Sequence, residues 1–149
     1  MSEKLILKNK KAFFDYEIVE QFEAGIALSG GEVKSIKNSR VDFKGSYVAI
    51  KGGQPILQSL HVSPYQLANQ PDYDPIRDRK LLLKKSEIEH LEAKSTQEGL
   101  TIIPLEIVLK SGLVKVKVGL GKGRKKYDKR EVLKKRSMQR EIEQSRKYG

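Results

Sequence analysis

Between Phe14 and Leu28 the even positions read Phe14, Tyr16, Ile18, Glu20, Phe22, Ala24, Ile26 and Leu28, apolar except for Glu20. Asp15, Glu17, Gln21 and Glu23 hold odd positions. Period two over such a span predicts one long strand with a single buried face. Gly25 is expected to let that strand bend sharply, as barrel strands do at corners. Ser29 and Glu32 form a capping-box pair and predict a short helix over 31–38. Two β-rich runs, 47–50 and 56–62, flank Gly52-Gly53-Gln54-Pro55 and predict a hairpin. Asp74-Pro75 pairs an N-cap residue with a proline suited to the first helical position, predicting a helix over 75–84. Ser86 and Glu89 repeat the capping pattern for a helix over 87–97.

The alternation then returns. Thr101, Ile103, Leu105, Ile107 and Leu109 fall on one face, and Ser111-Gly112 turns the chain. Val114, Val116, Val118 and Leu120 come back with Lys115 and Lys117 pointing outward. Pro104 has no N–H, so the first of these strands is expected to be interrupted there or to lie on an edge. Gly119, Gly121 and Gly123 are expected to end the β pattern and loosen the chain. The sum is a mainly β fold with about three short flanking helices. An OB-like closed antiparallel barrel is the leading expectation, because closure removes exposed strand edges. An open α+β sandwich is the alternative.

Charge divides the chain in two. It carries 30 Lys+Arg against 19 Asp+Glu, a net +11 over 149 residues. Residues 121–149 hold 12 basic and 4 acidic side chains, whereas residues 1–120 hold 18 and 15. The expected domains are therefore a nearly neutral body, 1–120, that buries the core, and a basic tail, 121–149, that cannot. With no cysteine there is no disulfide framework, thiolate nucleophile or Cys-ligated metal. The apolar runs fall far short of the ~20 residues of a membrane helix, and the start, Met1-Ser2-Glu3-Lys4, opens no secretion signal. A soluble cytoplasmic protein with a polyanionic partner follows as the expectation, nucleic acid rather than an anionic membrane.

The tail opens with Lys122, Arg124, Lys125, Lys126, Tyr127, Asp128, Lys129 and Arg130. Asp128 and Glu131 offer one more capping pair, ahead of good helix formers that include Lys134, Lys135 and Arg136. Its apolar line is thin, so the segment is expected to be disordered when free and to become helical once phosphates neutralise it. Tyr127 can stack on a base. The plainer reading is a solvated extension.

No catalytic set can be assembled. His61 and His90 lack ligand-type spacing, and both are read as structural. The late glycines lack the full pattern of a phosphate loop. The chain reads as a binder, with no catalytic residue, metal or cofactor. Glu23, outward beside Ala24-Gly25, can accept bonds from base amino groups or simply face solvent. Asn9, Lys10 and Lys11 can clamp a nucleic-acid backbone or form an ordinary lead into the first strand.

Several stretches together carry a resemblance. They are Asn9-Lys10-Lys11-Ala12, Phe22-Glu23-Ala24-Gly25-Ile26, Glu32-Val33-Lys34-Ser35, Ser46-Tyr47-Val48, the run 74–83 from Asp74-Pro75 to Arg79-Lys80-Leu81-Leu82-Leu83, and 122–130 ending Asp128-Lys129-Arg130. In this order and spacing the chain resembles the SsrA-binding protein (small protein B) family, the bacterial partner of transfer-messenger RNA. The resemblance implies an OB-like barrel that binds the tRNA-like domain of that RNA and helps deliver it to stalled ribosomes for trans-translation. Elongation factor Tu would take part indirectly, through the charged RNA. It places RNA contacts on Asn9, Glu23, Leu82 and Lys115. It also implies a tail, from about Lys122, that enters the small-subunit decoding region and the empty message channel as a helix. Body and RNA together would stand in for a missing anticodon arm. The sequence departs from the family at Phe14, Tyr73 and Tyr127, where histidine often stands.

Overall fold

The computed structural model describes residues 3–65, 71–124, 130 and 133. Strand β1 (Glu3–Lys8) leads into helix α1 (Lys10–Asp15) and the long strand β2 (Tyr16–Ile26). Helix α2 (Gly30–Lys37) and the two-residue strand β3 (Val41–Asp42) follow. Next come β4 (Tyr47–Lys51), β5 (Gln54–Gln58), the short β6 (His61–Val62) and β7 (Arg79–Leu82). Helix α3 (Lys85–Glu98) precedes the final pair, β8 (Thr101–Lys110) and β9 (Leu113–Gly123). Seven strands form one antiparallel sheet in the order β1-β8-β9-β2-β7-β5-β4, and β3 pairs with β6 apart from it. The fold is mainly β with helices α1, α2 and α3 packed around the sheet, and no helix among the described residues is long and apolar enough to cross a membrane.

Local signals account for most of these elements. Ser29 Oγ accepts from the N–H of Glu32, and the Glu32 carboxylate accepts from the N–H of Ser29, so the capping box starts α2 as expected. Gly52 and Gly53 take φ of 57° and 77° in the two-residue turn between β4 and β5, a left-handed pair that glycine adopts without a steric cost. The run expected to continue through 62 breaks at Ser59, whose φ is 61°, and β6 leaves to pair with β3.

Other local expectations fail, beginning with Ser86 as a cap: α3 starts at Lys85, and the Glu87 carboxylate accepts from the N–H of Lys84. Asp74-Pro75 opens no helix over 75–84. Asp74 Oδ1 accepts from the N–H of Ile76, closing a turn, and Arg79–Leu82 then fills the gap between β2 and β5. Arg79 and Leu81 are buried while Lys80 and Leu82 are exposed, the period of a strand. Phe14, in turn, belongs to α1 rather than to the long strand.

The closed barrel is not formed by the backbone ladder, because β1 and β4 remain the edges of an open strand order. The free edge of β8 explains why. Its Glu106–Lys110 stretch is taken by β1, and Pro104 offers no donor beyond it. Asn9 then claims the carbonyls there: its Nδ2 donates to Pro104 O at 2.8 Å and its N–H to Leu105 O at 2.8 Å. Where β4 approaches the start of β8, a groove of about 370 Å³ remains, lined by Val48, Ile50, Ile102 and by Glu92 and Ser95 of α3.

Bulges redirect the two long strands. The register of β2 slips at Val19, which is 51 % exposed, and that of β8 slips at Leu105. A single extra residue moves every following side chain to the other face. Phe22, Ala24, Ile107 and Leu109 therefore face the main core with Val114, Val116, Val118 and Leu120, but Tyr16, Ile18, Ile103 and Leu105 pack on the opposite face under α1. The alternation in the sequence is real, yet it does not describe one face. Gly119 and Gly121 make this second cluster possible. Far from loosening the chain, they lie buried in β9, which runs through Gly123, beyond the body boundary expected at 120. A Cβ on Gly119 would stand 2.6 Å from Leu105 Cδ1, and one on Gly121 2.6 Å from Ile103 Cδ1.

A buried charge cluster holds β7 in place. The Glu32 carboxylate, 2 % exposed, accepts from Arg77, at 3.0 Å from its Nε and again from its Nη2, and from Arg79 Nε at 2.7 Å. Fully buried Arg79 also donates to Leu60 O at 2.6 Å and to the Tyr73 hydroxyl at 3.0 Å. Tyr73 lies 2.9 Å from Val62 O. Burial alone pushes the Glu32 carboxyl up, but bonds from Arg77, the Ser29 N–H and Arg79, with the Arg79 charge, outweigh it and hold the group at about 2. Burial, followed by the Glu32 charge, pushes the Tyr73 hydroxyl up.

Two consequences are measurable. The Glu32 contribution is complete above pH 4.5, its unfolded value, and is lost as pH falls toward about 2. Acid titration of unfolding free energy should show a loss of about 3 kcal/mol over that window, and Glu32→Gln should flatten that part of the curve. Gly121→Ala should lower stability by about 1–3 kcal/mol in denaturant melts, because its methyl must displace Ile103.

Candidate functional site

The antiparallel ladder decides which expected contact residues meet. Gly25 pairs with Leu82 on one side and Lys115 on the other, and Lys115 pairs onward with Val108 and Val108 with Leu5. Opposite residues in such a ladder share a face. Leu82, Gly25, Lys115, Val108 and Leu5 thus form one row across five strands. The next row holds Glu23, Lys117, Glu106 and Lys8. Three residues distant in sequence, Glu23, Leu82 and Lys115, are therefore gathered around Gly25.

Chemically this patch is mixed. Leu82 is 54 % exposed, an unusual position for a leucine in the middle of a sheet order. It rests over Gly25, where a Cβ would lie 3.2 Å from Leu82 Cβ, so the missing side chain is what lets the leucine sit low against the strand. The slip in β2 falls at Val19, and the observed service of Gly25 is this close approach. Glu23 is exposed and its Oε2 stands 3.5 Å from Lys110 Nζ, a loose pair that leaves lone pairs available. Among the described residues, Lys115 is paired with no carboxylate. An apolar contact, an acceptor and a cation thus share one accessible face.

Asn9, Lys10 and Lys11 lie elsewhere. Asn9 is the N-cap of α1, accepting from the N–H of Ala12 at 3.2 Å while it holds Pro104 O. Its side chain is spent on the fold. With Lys10 and Lys11 it lines a groove of about 460 Å³, facing Lys44 and Tyr47 across the gap beyond β8. The groove sets four lysines, Lys8, Lys10, Lys11 and Lys44, against Asp15 and Asp42, and neither Gly25 nor Leu82 lines it. Phe14 lies in α1 beside Phe13, whose ring receives Lys8 Nζ at 4.8 Å. Tyr73 stands in the Glu32 cluster, where its hydroxyl is engaged by Arg79.

Of the expected tail residues, Lys122 sits in β9 opposite Glu17, and the N–H of Arg124 donates to Asp15 O at 2.9 Å. Both belong structurally to the body. Arg130 and Leu133 are exposed and helical. Lys125, Lys126, Tyr127, Asp128, Lys129, Lys134, Lys135 and Arg136 lie outside the described residues. The histidines are placed structurally: His61 pairs with Asp42 in the small sheet, and His90 Nε2 reaches Glu20 Oε2 at 2.7 Å from α3. Arg77 and Arg79 escaped the sequence reading, although the alternation of Arg79, Lys80, Leu81 and Leu82 carried a strand signal; the Asp-Pro pair before it masked that signal.

Comparison with known proteins shows the family. The family model described as SmpB protein matches residues 6–148. A protein of Geotalea uraniireducens (strain Rf4) named SsrA-binding protein is 50 % identical over 142 residues, covering 95 % of this chain and 94 % of that one. The SsrA-binding protein of Enterococcus hirae is 46 % identical over 144 residues, covering 97 % and 94 %. A solved chain described under "tmRNA-SmpB: a journey to the center of the bacterial ribosome" superposes with a TM-score of 0.66 at 45 % identity, covering 80 % of this chain and 85 % of that one. By this family model and these relatives, the chain belongs to the SsrA-binding protein (SmpB) family.

Proposed function

We propose that this protein binds the tRNA-like domain of transfer-messenger RNA and delivers it to stalled ribosomes for trans-translation. The observation that carries the reading is the row around Gly25, where Leu82, Lys115 and the adjoining Glu23 converge on one open face in a chain of this family. Each has a distinct task. Lys115 meets backbone phosphate, and Leu82 packs against a ribose or an unstacked base. Glu23 accepts from base amino groups or 2′-OH, donors that a phosphate lacks. A carboxylate in this position rejects nucleic acid that offers it only phosphates. Recognition of a folded RNA, rather than of charge alone, rests on that combination.

Lys10 and Lys11 give the basic groove a second hold on RNA backbone, with Asn9 setting the groove wall. The strand order, with β4 lying across from the start of β8, suits an OB-like barrel whose last seam is closed by side chains and α3 rather than by ladder bonds. The body then ends at Arg124, whose N–H is tied to Asp15, and the basic segment beyond it is the ribosome-engaging part, entering the decoding region and empty message channel as a helix. Helical Arg130 and Leu133 are in keeping with that role. Elongation factor Tu joins through the charged RNA, the setting is the cytoplasm, and the protein works by binding rather than by chemistry.

In electrophoretic or anisotropy assays with the isolated tRNA-like domain, Glu23→Ala should weaken binding by about 1–3 kcal/mol, the scale of a lost charged hydrogen bond. Lys115→Ala should lower the salt dependence by about one phosphate contact. Unchanged binding in both variants would leave the face around Gly25 without its role. Truncation after Arg124 should leave that binding largely intact and abolish tagging in a reconstituted translation system; joint loss of both activities would contradict the division of labour.

A further inference from the structure

Lys115 and Lys117 leave β9 on the same face, two residues apart, into opposite surroundings. Lys115 is unpaired among the described residues. Lys117 Nζ lies 3.0 Å from Glu3 Oε2, and its register neighbours are Glu23 on β2 and Glu106 on β8. Three carboxylates surround one ammonium, the Glu3 bond first among the influences that raise its proton affinity. Glu3 pairs with Lys110 in the ladder, whereas Lys117 pairs with Glu106. The bridge therefore runs diagonally past the row that holds Lys115, Val108 and Leu5. Lys110 is drawn toward Glu23 in the same way, at 3.5 Å. On this face, among the described residues, Lys110 and Lys117 are engaged by carboxylates, whereas Lys115 is not.

Phosphate contacts add affinity without regard to sequence or shape. A featureless duplex can slide until every free lysine meets a phosphate, whereas a folded RNA docked through Leu82 and Glu23 cannot. Each lysine left uncommitted therefore raises binding to the wrong RNA more than to the right one. We propose that Glu3 is a specificity-determining residue, whose carboxylate occupies Lys117 and keeps it from binding phosphate indiscriminately. This inference rests on the reading of the Gly25 face as the RNA site.

The experiment compares the full-length chain with Glu3→Gln, Lys117→Gln, the double variant and Lys115→Gln. Anisotropy titrations over a range of salt use two probes, an RNA duplex of arbitrary sequence and the tRNA-like domain. Glu3→Gln, isosteric and on an exposed edge strand, should bind the duplex about three- to tenfold tighter, with a log–log salt slope steeper by about 0.7–0.9. Its affinity for the tRNA-like domain should change less, so discrimination falls. Restoration of parental duplex binding in the double variant supports the proposal. An unchanged duplex affinity and slope in Glu3→Gln, or a gain that survives in the double variant, overturns it. Lys117→Gln alone should leave the duplex slope as it was; a reduced slope would mean that Lys117 was free all along and would likewise overturn it. Lys115→Gln separates the two readings: if it loses affinity for the tRNA-like domain while Glu3→Gln has no effect on the duplex, only the role of Glu3 fails. If Lys115→Gln is also silent, the RNA face itself is misplaced.

Discussion

The carboxylate of Glu32, held between the fully buried Arg79 and the partly exposed Arg77, is the interaction on which the placement of β7 depends. Arg79 is the first residue of β7, a strand of only four residues that bridges β2 and β5. So short a strand has little ladder of its own, and its placement is fixed by what its first side chain grips. Through Arg79 the cluster ties β7 to the N-terminus of α2, to Leu60 and to the Tyr73 loop. Removing one partner would leave a buried charge uncompensated, which is far costlier than loss of a surface pair. With β7 anchored, Leu82 has one place to stand, over Gly25.

β9 organises the other half of the molecule. Its even positions are apolar from Val114 to Leu120 and line the main core, while its odd positions change character along the strand. Leu113, Lys115 and Lys117 are accessible; Gly119 and Gly121 are covered. One strand face thus carries Lys115 and Lys117 at one end and receives side chains of β2 and β8 at the other. The slips at Val19 and Leu105 make this possible, because they turn apolar side chains of β2 and β8 toward the glycines just where the rows of Lys115 and Lys117 stop.

Much of this was legible in the residues themselves. The period-two runs located β2, β8 and β9, Ser29 and Glu32 located α2, and the glycine pair located the β4–β5 hairpin. What escaped was the bulges, since alternation reads the same whether a strand keeps one face or changes it by slipping a residue. Asp74-Pro75 misled because the same dipeptide starts helices and closes turns, and only the vacancy between β2 and β5 decides which. β1 had no strong pattern, and α1 is too short for periodicity to register. Of the site, the outward direction of Glu23 and Lys115 followed from alternation. The proximity of Leu82 required the sheet order, which no local signal contains.

Leaving a sheet unclosed creates two margins able to recruit a strand from another molecule. β1 presents Glu3, Lys4 and Lys8 and slips register at Ile6, while β4 runs only five residues and ends on Lys51. Charge, irregular spacing and brevity are all poor templates for further pairing. The same open architecture that leaves grooves near the start of β8 is thereby a poor template for edge-to-edge stacking into fibrils.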